Sequence, residues 1–102
     1  MKDINEYQKW ALSLWKDADS IQLQIVHALL GLTTEVGEVA DLFKKPWFTP
    51  MRADGFNVEE LTKELGDVLY YLVMLAEMHG VDMSDVLRKN HDKLEARYGK
   101  QS

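Results

Sequence analysis

Apolar residues recur at helical spacing along almost the whole chain, and the pattern predicts four helices. Ile4, Tyr7, Ala11, Leu14 and Trp15, with Trp10 close to the same stripe, predict a first helix from about Asp3 to Lys16. Asp17-Ala18-Asp19-Ser20 reads as a break, with Asp19 or Ser20 as the next N-cap. A second helix runs from about Ile21 to Lys44. Its first half is apolar nearly all round (Ile21, Leu23, Ile25, Val26, Ala28, Leu29, Leu30, Leu32), so burial on more than one side is expected. Lys44 and Lys45 complement the dipole at its end. Pro46-Trp47-Phe48-Thr49-Pro50 should leave helical geometry, because prolines bracket it and proline disfavours helix in the residue before it. An aromatic loop then continues to Phe56.

Asn57-Val58-Glu59-Glu60 has the form of a capping box and opens a third helix that runs to about His79. Leu61, Leu65, Val68, Leu72 and Leu75 give it an apolar stripe, with Tyr71 and Met78 alongside. Gly80 is a natural residue to end it. Asp82 is placed to cap a fourth helix from Met83 to about Tyr98, stopped by Gly99, with Val86, Leu87, Leu94 and Tyr98 as its packing side. No strand-like alternation competes. The fold class expected is all-α.

Within this pattern one short sequence occurs twice. Thr33-Thr34-Glu35-Val36-Gly37-Glu38-Val39 and Thr62-Lys63-Glu64-Leu65-Gly66-Asp67-Val68 both follow T-x-E-x-G-[ED]-V, each inside a predicted helix. Residues at i and i+3 share a helix face, so Glu35 pairs with Glu38 and Glu64 with Asp67. If those faces meet, four carboxylates converge, and cations make such a cluster tolerable. The plain alternative is a solvated acidic face. Two features weigh against it. A glycine in a helix interior costs about 1 kcal/mol relative to alanine, yet Gly37 and Gly66 hold the same place in both motifs, as close helix approach or backbone room at an acidic site would require. Glu64 also borders the core stripe at Leu61, Leu65 and Val68. Carboxylates without nearby histidine or cysteine make a hard-oxygen site, suited to Mg²⁺ or Mn²⁺. The Glu-x-x-His of a di-iron bundle and the calcium loop of an EF-hand are absent.

Length and charge narrow the picture further. A chain of 102 residues fits one domain, and a helical chain this short often completes its core by self-association. The net charge of −5 argues against a binder of nucleic-acid polymers but not against small phosphorylated ligands. The absence of cysteine excludes disulfides and thiolate metal sites. No run reaches the length of a membrane span and the first residues lack the apolar segment of a signal peptide, so a soluble, cytoplasmic protein is expected.

Asn90, Lys93 and Arg97 fall on one face of the fourth helix. They form either an ordinary exposed face or a polar, basic strip that holds phosphates. Lys44 and Lys45 offer the same from the end of the second helix. His27, His79 and His91 share no metal-ligand spacing and read as surface or packing residues. Trp10 and Trp15 read as core. Trp47 and Phe48 would either cap a partner subunit or stack on a base.

The run from Gly31 to Lys45 (GLTTEVGEVADLFKK), the run from Glu64 to Leu72 (ELGDVLYYL) and the run from Asn90 to Tyr98 (NHDKLEARY) resemble the MazG-like nucleotide pyrophosphohydrolases of the all-α nucleoside triphosphate pyrophosphatase superfamily. The likeness covers roughly Tyr7 to Tyr98. It implies a four-helix protomer that forms a bundle with a partner subunit, as a homodimer or homotetramer. It also implies cleavage of a nucleoside triphosphate between its α and β phosphates, giving monophosphate and pyrophosphate. By that similarity Glu35, Glu38, Glu64 and Asp67 are Mg²⁺ ligands, with Mn²⁺ able to substitute. Glu38 is the residue that would orient or deprotonate the attacking water, and Asn90, Lys93 and Arg97 match the phosphate-side strip. The P-W-F-T-P segment matches no part of the family pattern. Two other readings stand beside this one: a phosphoribosyl-nucleotide pyrophosphohydrolase of the same fold, and a non-catalytic helical module anchored by Trp47, Phe48 and Phe56.

Overall fold

The computed structural model describes residues 3–16, 20–48 and 57–99, with the stretch 45–48 described by its backbone. These residues form α1 (Ile4–Leu14), α2 (Ile21–Phe48), α3 (Val58–Met78) and α4 (Met83–Leu94), and α4 continues into a π-helical turn, Glu95–Gly99. The described part is all-helical, as the periodicity predicts, and none of its helices is long and apolar enough to cross a membrane.

Local chemistry sets most of the boundaries. The Asp3 carboxylate accepts from the Glu6 N–H at 2.8 Å and starts α1. The Ser20 hydroxyl accepts from the Leu23 N–H at 3.2 Å at the head of α2; Asp19, the other cap candidate, lies outside the described residues. Asn57 Oδ1 accepts from the N–H groups of Glu59 and Glu60, at 2.9 and 3.3 Å, and opens α3. Gly80 closes α3 with a φ of +68°, a conformation that glycine adopts without a Cβ penalty.

Two boundaries differ from the sequence expectation. α2 does not stop at Lys44 but runs through Pro46 to Phe48. Proline's fixed φ is itself helical; what Pro46 forfeits is one N–H near the helix end, where few bonds remain to lose. The fourth helix is regular only to Leu94, and Arg97 and Tyr98 stand on the wider π turn instead.

The packed helix pairs are α2 with α3, α1 with α3, and α1 with α4. Ala11, Val73, Met74 and Met83 form the core, flanked by Ile4, Tyr7, Trp15, Leu69, Tyr70, Ala76 and Met78. It therefore lies where α1 crosses α3 and meets the start of α4. Val73 and Met74 are fully buried, each worth about 1.5–3 kcal/mol of apolar transfer. This corrects the phase assigned to α3: Leu65 and Leu72, placed on its core stripe by spacing, are exposed. The same holds for α4, whose expected packing residues Val86, Leu87, Leu94 and Tyr98 are exposed while Met83 is buried.

α2 departs furthest from expectation. Ala28 is buried, but Ile21, Leu23, Val26, Leu29 and Leu30 are all exposed, Leu30 by 63%. Among the described elements, α3 is the one that packs extensively on this helix, so one face is covered and the others lack a described neighbour. On α3 the exposed apolar residues Val58, Leu65 and Leu72 recur at heptad spacing. The radius of gyration is 16.9 Å, against about 13 Å for a compact chain of similar length. Among the described residues, large apolar faces on both central helices remain without a partner.

Candidate metal centre

The packing of α2 against α3 brings the two copies of the repeated motif together. Glu35 of α2 and Glu64 and Asp67 of α3 each present a carboxylate oxygen, and these oxygens lie within 4.8 Å of one another. Glu35 and Glu64 are half-buried and Asp67 is exposed, so the group opens to solvent on one side. One oxygen, Glu64 Oε2, is buried with no hydrogen-bond partner. Burying a polar oxygen unpaired costs about 1–3 kcal/mol, more for a charged one. The Glu35 carboxyl is pushed above its ordinary range. Desolvation is the main cause, followed by the Asp67 and Glu64 charges, a hydrogen bond shared with Glu64, and the Glu38 charge.

Glu38 thus acts electrostatically on the group but is not one of the three converging carboxylates, and it is exposed. Gly37 and Gly66 do not mark a close helix approach in the protomer, since a Cβ at either would meet only open space. The close approach belongs to Gly31, where a Cβ would overlap the Tyr71 ring. Gly31 lies one helical turn before Glu35 and Tyr71 one turn after Asp67, so this contact sets the helix spacing directly beside the carboxylates. The i, i+4 relation of Gly31 and Tyr71 to the motifs was the available signal for both.

An aromatic cluster continues from there. Tyr71 lies edge-on to Tyr70 (centroids 5.3 Å apart) and to Trp15 (6.5 Å), and Trp15 stacks on His27 at 4.8 Å. Trp15 also donates from Nε1 to Gln24 Oε1 at 3.2 Å. Burial pushes the Tyr7 phenol up, and the neighbouring Tyr70 and the Asp67 charge add to the shift. Tyr7, which periodicity marked only as core, therefore feels the charge of Asp67.

The other candidates are more scattered. Asn90 and Lys93 on α4 and Arg97 on the π turn are exposed, and no hydrogen bond or ion pair joins them to the carboxylates among the described residues. Arg97 lies over the Tyr98 ring at 5.8 Å. Lys44 is exposed near the end of α2. The side chains of Trp47 and Phe48 lie outside the described residues.

The donor set of Glu35, Glu64 and Asp67 fits a hard divalent cation. All donors are carboxylate oxygens, their mutual repulsion has no compensating charge within the group, and the orphaned Glu64 Oε2 lacks the partner a cation would supply.

The sequence model of the MazG nucleotide pyrophosphohydrolase domain matches residues 24–101. The chain belongs to the MazG family. The match spans both acidic motifs and all of α3 and α4. Among curated relatives, Gene 37 protein of Mycobacterium phage L5 is 36% identical over 85 residues, 79% of this chain and 71% of that protein. Uncharacterized protein YvdC of Bacillus subtilis is 40% identical over 40 residues, 39% of this chain and 38% of that protein. No solved structure matches the chain. In this MazG domain the repeated motif is thus the element that α2 and α3 hold face to face.

Proposed function

We propose that the chain is a Mg²⁺-dependent nucleoside triphosphate pyrophosphohydrolase that converts a ribo- or deoxyribonucleoside triphosphate to its monophosphate and pyrophosphate. The observation that carries this reading is the convergence of Glu35, Glu64 and Asp67 around an unpartnered buried oxygen, in a chain of the MazG family.

Glu35, Glu64 and Asp67, with Glu38 beside them, are the residues that would hold the cation. Bound there, Mg²⁺ or Mn²⁺ would neutralise phosphate oxygens and make a water acidic enough to attack. In this reading Glu38 takes the proton of the attacking water, a role supported by its exposure and by its charge acting on Glu35. The water oxygen bonds to the α phosphorus, its bond to the bridging oxygen breaks, and pyrophosphate leaves with that electron pair. Asn90, Lys93 and Arg97, with Lys44, bind the phosphate oxygens; the guanidinium of Arg97 matches two of them at once.

This strip is exposed on a helix that packs on α1, and α2 and α3 carry uncovered apolar faces. Both observations support a homodimer or homotetramer in which these faces pair into a helical bundle and the strip of one copy serves the acidic group of another. Pyrophosphate release from a panel of nucleoside triphosphates, with Mg²⁺, with Mn²⁺ and with chelator, tests the reading. Metal-dependent release with monophosphate as co-product is expected. Silence across the panel would overturn the substrate class.

A further inference from the structure

The first N–H groups of a helix need acceptors, and Asp82, in the N-cap position of α4, supplies none from its side chain. They come from α1. Gln8 Oε1 accepts from the Met83 N–H at 2.8 Å, and Asn5 Oδ1 accepts from the Ser84 N–H at 3.0 Å. Asn5 Nδ2 in turn donates to Ser84 Oγ at 2.9 Å. Gln8 Nε2 donates to the Val81 carbonyl and to Glu77 Oε2, both at 2.9 Å. Gln8 is only 3% exposed and both ends of its amide are engaged. One side chain therefore ties together the end of α3, the connection after it and the head of α4. Asn5 and Gln8 stand three residues apart on one face of α1, so together they fix two successive N–H groups and with them the direction of α4.

That direction matters over distance. From Met83 to Arg97 the chain rises about 20 Å, so a tilt of about 5° at the head of α4 moves Arg97 by about 2 Å. Misplacement of about 1 Å in a binding group is enough to cost up to about a hundredfold in rate. We propose that Gln8, supported by Asn5, is a positioning residue of the hydrolysis: it aims the Asn90–Lys93–Arg97 strip at the phosphates. The inference rests on the reading above, in which that strip holds the substrate. Neither residue touches the carboxylate group, and neither belongs to the chemistry-bearing motifs. Their part is carried by an amide that donates and accepts at once, which neither Met nor Glu reproduces.

The test compares Gln8→Met and Asn5→Ala with the wild type in nucleoside triphosphate hydrolysis, Mn²⁺ binding and oligomeric mass. Asn5 is only partly buried, so its variant tests the inference even where Gln8→Met does not fold. The expected result is a KM raised about tenfold or more, with the number and affinity of bound Mn²⁺ and the oligomeric mass unchanged. A residue that merely stabilised the fold would lower the fraction of Mn²⁺-binding protein and leave KM alone. Wild-type turnover with unchanged KM in the folded variants overturns the positioning role. A wild type that releases no pyrophosphate from any nucleotide overturns the underlying reading and this role with it.

Discussion

The two ends of α3 are built on opposite principles. At its C-terminal end, where α1 crosses and α4 begins, Val73, Met74, Ala11 and Met83 are buried and the Gln8 amide is fully hydrogen-bonded. At its N-terminal end, Glu64 and Asp67 face Glu35, one buried oxygen has no partner, and desolvation and neighbouring charge hold the Glu35 carboxyl in its protonated form to higher pH than usual. One end is satisfied within the protomer; the other holds a buried carboxylate oxygen with no partner among the described residues. Stability therefore concentrates at the first end, and the proposed cation site lies at the second, where a bound cation would offset the cost of unpaired charge.

The sharpest way to separate the ends is Asp67→Asn. It should lower turnover by about a thousandfold or more while leaving helical content and melting temperature close to wild type. Circular dichroism and pyrophosphate release read the two sides. Met74→Ala should do the reverse, costing about 2–5 kcal/mol in denaturant unfolding while the folded fraction still binds Mn²⁺. Replacing Leu30, exposed by 63%, with Glu should split the proposed oligomer into smaller species by sedimentation, without a comparable loss of protomer helicity.

A smaller effect should appear with the metal removed. A carboxyl whose folded pKa is raised binds its proton more tightly in the native state than in the unfolded one. Stability in chelator should therefore rise as pH falls from neutral towards the ordinary glutamate range, through the raised pKa of Glu35. Glu35→Gln should flatten this slope and stabilise the metal-free protein at neutral pH. Denaturant titrations at several pH values check both. The smallest effect belongs to Asp82→Ala. An N-cap aspartate usually contributes about 1 kcal/mol, but this one makes no capping bond, so the change should stay within about 0.5 kcal/mol.

Much of this contrast was legible in the sequence, and its gaps have identifiable causes. Ser20, Asn57 and Gly80 act at helix ends through bonds and backbone geometry that depend on immediate neighbours, so the local sequence finds them. The duplicated motif was legible because helical periodicity puts its acids on one face, and the packing of α2 on α3 brings three of the four together. What periodicity cannot reveal is which apolar face meets a neighbour. Leu65 and Leu72 were as apolar as Val73 and Met74, but α1 covers only the latter. The cap of α4 was assigned to the adjacent Asp82, whereas Gln8 and Asn5 deliver it from a helix more than seventy residues away in the chain. Pro46 inside α2 and the π turn under Arg97 likewise go beyond local pattern.

The most direct test of the account is Mn²⁺ binding to the wild type and to Glu64→Gln, followed by electron paramagnetic resonance. Saturable binding by the wild type is expected, and its loss in the variant, whose amide replaces the carboxylate with the unpartnered oxygen. Equal binding by both proteins would contradict the assignment of Glu35, Glu64 and Asp67 as the metal centre.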